Sequence, residues 1–439
     1  MARDSVLVWI LILLVGISLF LSYTIWSGIP GEMTAESRVQ EDKKVDLVSV
    51  ISPDRILVHL GNSSHTLVNQ SSPFYDRVWN FTRKTLVNQW SAASPEPVDM
   101  NADFFAQKRG MEVFFPAPLP AAFLKQVFNV KAQDVPFFDN KPVSSYLLVE
   151  DGGLTIYFRD ADGRYYRLNK TADTGEMLQV LKDIADSNPP LYAVLPTGNI
   201  NLKVSKGIYV PLSLSELPIF TLRNEKIAGD RLAAKFFPDF SVTRKIEERD
   251  GAIIYTDGQR GLRIYPEGAV EYTYPGTKEQ RKNSSFYEAL NMAVEFINTH
   301  GGWPHGTYLS SYKTSGGGEG GQSYTFIFQI RVNGYPLIAE KDYLMVTVDG
   351  GLVKNYYRRI RIVDRQVKVQ DLISPVRALD AAVVKQNIKT IDNLYPAYLA
   401  GEEELRAVWV IIAPEKQVII EGLVPKEIQM GQEPENSSE

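Results

Sequence analysis

One uncharged stretch near the start of the chain, Val6 to Trp26, constrains its folding more than any other feature. As a helix these 21 residues would rise about 31 Å, which matches a hydrocarbon core of roughly 30 Å. A cleaved signal peptide needs a shorter apolar core and a small-residue cleavage site. Ser27 to Gly31 follows the stretch without such a site, and no cysteine is present for lipid attachment. The stretch therefore predicts an uncleaved transmembrane anchor.

The residues flanking this stretch bear on its orientation. Trp9 near one end and Trp26 near the other suit the two membrane interfaces. Arg3 is offset by Asp4, and the distal flank carries no basic excess. The charge bias favours a cytoplasmic N-terminus only weakly. We expect a single-pass protein of the cell membrane, with its body outside the cytoplasm.

Composition excludes several classes of function. A net charge of -5 and a pI of about 5.7 argue against a nucleic-acid partner. The absence of cysteine excludes disulfides, thiolate metal sites and cysteine nucleophiles. Aromatic residues make up 11% of the 439 residues, which together with many β-branched residues indicates a strand-rich fold.

A helix followed by a meander of strands recurs along the chain, which predicts an α+β fold. Asp151-Gly152-Gly153 and Asp257-Gly258 are typical hairpin turns. The strongest helix is predicted over Ser284 to Thr299, because its apolar residues repeat at helical spacing and Gly301-Gly302 follows. We expect about three domains after the anchor. The predicted divisions are a tip and anchor (1–30), a juxtamembrane spacer (31–46), an N-terminal α+β domain (47–205), a middle α+β domain (206–282), a C-terminal α+β region (283–425) and a disordered tail (426–439).

The sequence pattern also predicts three local features. A helix is expected to start at Ser72-Pro73 and run to about Trp90. A strand is expected over Met111 to Phe115, with the three prolines of residues 116–120 preventing regular structure after it. A further helix is expected over Lys226 to Phe237.

Two motifs resemble catalytic signatures. Gly316, Gly318 and Gly321 match the spacing of a dinucleotide-binding loop, but a strand-like segment follows where a helix is required. Ser310 and Lys313 spell the S-x-x-K of serine acyl enzymes, which needs both residues on one helical face. In the predicted strand these positions point to opposite faces. Both motifs are therefore interpreted as parts of a hairpin.

The remaining candidates are also weak. Asp160 to Gly163 resembles part of a calcium loop without its remaining ligands, and is interpreted as a hairpin turn. His300 and His305 lie just beyond a helix end, where the helix dipole favours a cationic side chain. No nucleophile is paired with a base and no metal ligands are grouped, so we expect a protein that is not an enzyme and has no cofactor or metal.

Taken in order, several features resemble the YycH family, the membrane-anchored regulators associated with the WalK/WalR (YycG/YycF) two-component system of Gram-positive bacteria. They are the N-terminal anchor, the strand entry Ser52 to Ile56, the hairpin Tyr255 to Ile264, Gly302-Trp303-Pro304, and the turn Asn333 to Pro336. The resemblance implies a non-enzymatic extracytoplasmic body, a partner of similar build called YycI, and a complex with the sensor kinase WalK. It also implies that the anchor helix takes part in the contact with the kinase.

Small and polar residues in the anchor suit such a contact, because they let helices approach closely. They are Gly16, Ser18, Ser22 and Thr24. The helix could also be a tether alone. Two other functions stay open at this point. One is a cell-wall or peptide-binding module, marked by a concave aromatic site, and the other is an envelope hydrolase that depends on Ser310 or His305.

Overall fold

The structure is a computed structural model that describes residues 44–100, 103–195, 202–204, 207–213, 216–276, 283–316 and 322–421. The predicted anchor, the predicted tail and the candidate contact residues Gly16, Ser18, Ser22 and Thr24 lie outside these ranges. Among the described residues, no helix combines the length and the apolar character needed to cross a membrane.

Helices and strands alternate in the manner of an α+β protein, which confirms the predicted class. The described helices are α1 (Leu47–Val50), α2 (Tyr75–Trp90), α3 (Asp103–Ala106), α4 (Ala121–Val127), α5 (Pro136–Asp139), α6 (Gly175–Asp186), α7 (Gly229–Ala233), α8 (Phe286–Thr299) and α9 (Pro375–Gln386). The strands of the first half are β1 (Arg55–Gly61), β2 (Ser64–Val68), β3 (Pro95–Val98), β4 (Arg109–Pro120), β5 (Pro142–Glu150), β6 (Leu154–Asp160), β7 (Tyr165–Ala172), β8 (Leu191–Val194), β9 (Lys203–Val204), β10 (Tyr209–Pro211) and β11 (Leu217–Asn224). Those of the second half are β12 (Arg244–Glu247), β13 (Ile253–Thr256), β14 (Gly261–Ile264), β15 (Ala269–Thr273), β16 (Thr307–Gly316), β17 (Gln322–Val332), β18 (Tyr335–Ile338), β19 (Leu344–Asp349), β20 (Leu352–Arg359), β21 (Arg361–Gln370), β22 (Thr390–Ile391), β23 (Asn393–Ala400), β24 (Leu405–Ala413) and β25 (Lys416–Glu421).

The N-terminal sheet contains nine described strands in the order β10-β8-β2-β1-β4-β5-β6-β7-β3. Side chains alternate between its faces along each strand. Ile56 and Val58 of β1 therefore belong to the core that also contains Leu86 and Trp90 of α2. The residues between them point to the opposite face. Helix α2 covers one face of the sheet, whereas on the other face Phe105 of α3 packs against Leu147 and Tyr157 and leaves the rest of that face to line a cleft.

The C-terminal sheet contains twelve described strands, in the order β12-β13-β14-β15-β20-β19-β17-β18-β23-β24-β25 with β16 also pairing with β17. Its pairings are antiparallel except that of β18 with β23. Helix α8 belongs to the same core as β17, β19 and β20. Ser285 and Glu288 form a capping box at its start, and Gly301 and Gly302 follow its end with positive φ angles, so this predicted helix is confirmed.

Pairings between distant segments connect the parts of the chain. β11 pairs with β21, and β9 pairs in parallel with β22. β15 lies in the predicted middle domain and pairs with β20 of the predicted C-terminal region. One sheet therefore contains strands from both sides of the boundary predicted after residue 282. The domain boundaries themselves stay a prediction.

The structure corrects three local expectations. Helix α2 begins at Tyr75 rather than at Ser72-Pro73; the Ser72 hydroxyl instead accepts a hydrogen bond from the amide of Phe74. Strand β4 continues through all three prolines to Pro120. Proline is compatible with an extended backbone and lacks only the N–H group, and the ladder to β5 is interrupted between Phe114 and Leu119. The prolines thus lie where the hydrogen-bond ladder is broken or ends.

The third correction concerns the helix predicted over Lys226 to Phe237, of which only Gly229–Ala233 is helical. Ala228, which precedes it, has an extended backbone, and Gly229 is a poor helix former. Pro238 ends the segment. Phe236 and Phe237, which follow this short helix, are nevertheless buried in the core.

The first described residues are fixed to helix α8. The backbone amide of Val45 donates to Oδ1 of Asn298 at 2.9 Å, and Nδ2 of Asn298 donates to the carbonyl of Val45 at 3.1 Å. The indole of Trp303 donates to the same Oδ1 at 2.8 Å. We call this group the Val45 clamp. It holds the start of the body against the end of a central helix.

The turn between β17 and β18 contacts the N-terminal half of the chain. Asn333 and Gly334 both have positive φ, as a two-residue hairpin turn requires. A Cβ atom on Gly334 would lie 2.8 Å from Cγ of Asn69. Asn69 is buried, and its Oδ1 accepts hydrogen bonds from the amide and the hydroxyl of Ser71. The side chain of Asn69 is therefore not free to move away.

We expect Gly334→Ala to lower the free energy of unfolding by about 2–3 kcal/mol, since it combines an unfavourable φ with a clash. Gly258→Ala is the matched control, because Gly258 also has a positive φ but has no atom within 4 Å of the added methyl group. We expect the control to lose only about 1 kcal/mol. Urea unfolding of both variants measures the difference. Equal losses would show that the contact with Asn69 contributes nothing.

Candidate functional site

The two catalytic-like motifs lie on a β-hairpin, as predicted. Ser310 and Lys313 belong to β16, and the Ser310 hydroxyl donates to the carbonyl of Ile327 at 3.0 Å. Gly316 ends β16, and β17 begins at Gln322, so a strand follows the glycines where a dinucleotide site would need a helix. Gly318 and Gly321 lie outside the described residues.

The other two candidates have structural roles. Asp160 accepts hydrogen bonds from the amide of Arg164 and the hydroxyl of Tyr166, which confirms a hairpin turn. His300 stacks on Phe296 with a centroid separation of 3.9 Å. Burial lowers the pKa of His300, so its neutral form is favoured and the cationic form expected from the helix dipole is not. Across the described ranges, no three His, Asp or Glu side chains are grouped so that they could hold a metal ion.

A cleft of about 920 Å³ lies between the two sheets. Its floor is the face of the N-terminal sheet opposite helix α2, and its opposite wall comes from β18, β23 and β24. This volume lies within the usual range for small-molecule sites. We refer to it as the inter-sheet cleft.

Strand register sets the order of side chains on the floor. Arg55 of β1 is opposite Phe114 of β4, which is opposite Ser145 of β5, which is opposite Arg159 of β6. The guanidinium of Arg55 lies over the ring of Phe114, 4.7 Å from its centroid. Glu112 lies one row away and accepts a hydrogen bond from the Ser145 hydroxyl at 2.7 Å, with Arg159 at 3.9 Å. The floor therefore carries two arginines about three strand spacings apart, roughly 14 Å.

One carboxylate holds two arginines at the first end of the floor. Asp54 Oδ2 accepts from Arg55 at 2.5 Å, and Oδ1 lies 3.7 Å from Nε of Arg331. Arg331 is almost fully buried and stacks 3.7 Å above the ring of Tyr308. None of its guanidinium nitrogens has a hydrogen-bond partner among the described residues. The positive charge of Arg331 is thus balanced by Asp54 and by an aromatic face rather than by hydrogen bonds.

A buried histidine pair lies on the same face of β1 and β2. His59 and His65 are directly opposite, and their Nδ1 atoms are 2.9 Å apart. Both rings meet Tyr209 of β10 edge to face. Burial, reinforced by the charge of His65, lowers the pKa of His59 to about 3, and burial also lowers that of His65. One ring donates and the other accepts, and the lowered pKa of both histidines favours the neutral pair near pH 7.

Tyrosines from both sheets converge at the mouth of the cleft. Tyr192 comes from β8, Tyr335 from β18 and Tyr395 from β23, and all three rings are half-buried. Burial raises the pKa of Tyr395 to about 12, and the nearby Asp54 acts in the same direction. Burial and Tyr335 raise the pKa of Tyr192. These hydroxyl groups are therefore protonated at neutral pH and can donate hydrogen bonds.

The cleft has the features of a binding site: rings, planar polar groups and ion pairs in fixed positions. None of the motifs discussed above predicts this cleft. One signal was available, because polar residues such as His59, Glu112 and Ser145 alternate with apolar core residues in strands buried on both faces. A polar residue buried in a central strand needs a specific partner. That pattern could have marked this face as functional.

The chain was compared with protein-family models, with curated sequences and with solved structures. Residues 5–188 match the family model described as "YycH protein, N-terminal domain". No curated protein sequence matches the chain significantly.

Two solved structures are similar to the chain. The crystal structure of YycH from Bacillus subtilis aligns with a TM-score of 0.63 and 14% sequence identity, covering 86% of this chain and 97% of that one. An uncharacterized protein from Eubacterium rectale aligns with a TM-score of 0.35 and 12% identity, covering 52% of this chain and 89% of that one. The first similarity shows a shared fold, and the second is too low to support any inference.

Proposed function

Because the chain belongs to the YycH family, we propose that it is a non-enzymatic, membrane-anchored regulator of a WalK-type (YycG-type) sensor histidine kinase. The observation that carries the proposal is the extent of the family match, which begins at residue 5 and so includes the apolar stretch Val6 to Trp26. We infer a single-pass protein of the cell membrane with a cytoplasmic N-terminus. Its body lies outside the cytoplasm, associates with a YycI-like protein and modulates signalling for cell-wall homeostasis.

The anchor is the part that we propose contacts the kinase. Gly16, Ser18, Ser22 and Thr24 are the residues at which another helix could approach closely. The Val45 clamp, which belongs to the folded body, also supports this proposal. It fixes the chain to the body at residue 45, close behind the apolar stretch in the sequence. A change in the body could therefore alter the position of the preceding segment.

Co-purification tests the proposal. We expect the kinase to co-purify with the full-length chain from solubilised membranes. Replacing Gly16, Ser18, Ser22 and Thr24 together with leucine should reduce the recovered kinase about tenfold, because several interhelical contacts of about 0.6 kcal/mol each are lost. The matched control replaces Leu11, Leu13 and Leu14 with isoleucine, which keeps the apolar volume and should leave recovery unchanged.

Two results would contradict the proposal. One is that the kinase does not co-purify with the parent chain and that expression of its target genes is unchanged when this protein is deleted. The other is that both anchor variants recover as much kinase as the parent, which would make the anchor a tether alone.

A further inference from the structure

The lining of the inter-sheet cleft restricts the chemistry of what it can bind. Two arginines and four carboxylates line the cleft, so it offers no positive excess to a phosphate or a polyanion. Three of these carboxylates are already engaged. Asp54 pairs with Arg55, Glu112 accepts from Ser145, and Asp160 accepts from Tyr166. The carboxylates outnumber the arginines, so the lining carries an excess of negative charge. The lining therefore disfavours an anionic ligand.

The apolar part of the lining is largely aromatic and comes from both sheets. Phe114 and Tyr192 belong to the N-terminal sheet, and Tyr335 and Tyr395 to the C-terminal sheet. An aromatic face attracts groups with a partial positive charge, such as polarised C–H bonds. Planar polar groups stand beside the rings, notably the Asp54–Arg55 pair and the amide of Gln329. A ligand that fits must present both C–H faces and many hydroxyl or amide groups.

The position of the cleft argues against an extended peptide. Peptides that bind by strand addition form hydrogen bonds with a free strand edge. The floor of this cleft is instead the face of β1 and β4, whose backbone groups are paired on both sides with neighbouring strands. Recognition on this floor must therefore use side chains.

We propose that the inter-sheet cleft binds a short, uncharged oligosaccharide. The C–H faces of its sugar rings would lie on Tyr192, Tyr335 and Tyr395. Its hydroxyl groups would bind to Asp54, Arg55 and Gln329, whose planar groups can bridge neighbouring hydroxyls. Because both sheets supply rings, the bound chain would hold the two sheets together.

Isothermal titration calorimetry of the full-length chain tests this proposal with two probes, triacetylchitotriose and maltotriose. The chain must be kept in a detergent without a sugar headgroup, since a maltoside would compete. We expect saturable binding of at least one probe; the one that binds distinguishes an N-acetylated sugar from a plain one. An uncharged blocked trialanine serves as the peptide probe and should not bind.

Three variants test whether the sugar binds in the cleft. Tyr395→Ala should weaken binding about three- to tenfold, the value of one aromatic contact. Ala339→Trp keeps every ring but fills the cleft, and should abolish binding. Tyr265→Ala is the matched control, because Tyr265 is a half-buried tyrosine outside the cleft that donates to Glu271. The unfolding midpoint of each variant shows whether it is folded.

The proposal is overturned if neither sugar binds to the parent chain, if only the peptide binds, or if a folded Ala339→Trp variant binds sugar as tightly as the parent. These results do not depend on the kinase. The regulatory function can therefore fail in co-purification while the cleft still binds sugar, and the reverse is equally distinguishable.

Discussion

Replacing Arg358 with methionine is expected to lower the free energy of unfolding by about 3–5 kcal/mol. Arg358 is buried, and its guanidinium pairs with both oxygens of Glu225 at 2.9–3.2 Å. It also donates to the carbonyl of Gly302 at 2.8 Å. The pair connects strand β20, the end of β11 and the turn after α8. Methionine would fill most of the volume but leave a half-buried carboxylate and a buried carbonyl without these donors.

Two further variants show whether this loss of stability comes from the broken ion pair. The double variant Arg358→Met with Glu225→Leu removes both charges and should recover part of the stability, because burying an ion pair itself carries a desolvation cost. Lys368→Met breaks the exposed pair with Glu404 and should cost less than about 1 kcal/mol. The midpoints of urea unfolding provide the comparison. If Arg358→Met is no more harmful than Lys368→Met, the buried pair does not stabilise the fold.

The second large effect is a loss of stability in acid caused by the histidine pair. Because the pKa of His59 is lowered to about 3 in the folded chain, the unfolded chain binds a proton first, at its usual pKa of about 6.5. Stability is therefore fully present above pH 6.5 and declines as the pH falls towards 3. Between pH 7.5 and pH 5 the expected loss from His59 alone is about 2 kcal/mol. His65 contributes in the same direction, since its pKa is also lowered.

Comparison with His59→Phe isolates this contribution. Phenylalanine keeps an aromatic ring beside Tyr209 but does not titrate, so the variant should lose less stability than the parent between pH 7.5 and pH 5. Thermal unfolding across this range measures both slopes. Parallel slopes would mean that His59 is not held neutral by burial.

Local chemistry made much of the fold predictable from the sequence. The capping box at Ser285, the glycine turns at Gly258 and Gly334, and the Asp160 hairpin depend on residues within a few positions of each other. The residues that determine each of these features therefore lie together in one short segment of the sequence. The family resemblance, first inferred from short motifs, agrees with the family match over residues 5–188.

The parts that were missed depend on distant segments. Strand β4 is stabilised through its prolines by neighbours that include Tyr312, which donates to the carbonyl of Pro118 from almost two hundred residues away. The parallel pairing of β18 with β23 leaves no local pattern in either strand. The inter-sheet cleft needs both sheets, so no single segment encodes it. The periodicity of apolar residues identifies a strand but not the strand with which it pairs.

The Val45 clamp gives the body a defined mechanical connection to the segment before it. A single side-chain amide, that of Asn298, meets both the amide and the carbonyl of Val45, so the backbone there resists rotation as well as extension. The same helix, α8, ends beside the Arg358 network that connects β11 to β20. Residue 45 is therefore connected to β11 and β20 through side-chain hydrogen bonds made at α8 and at the turn after it.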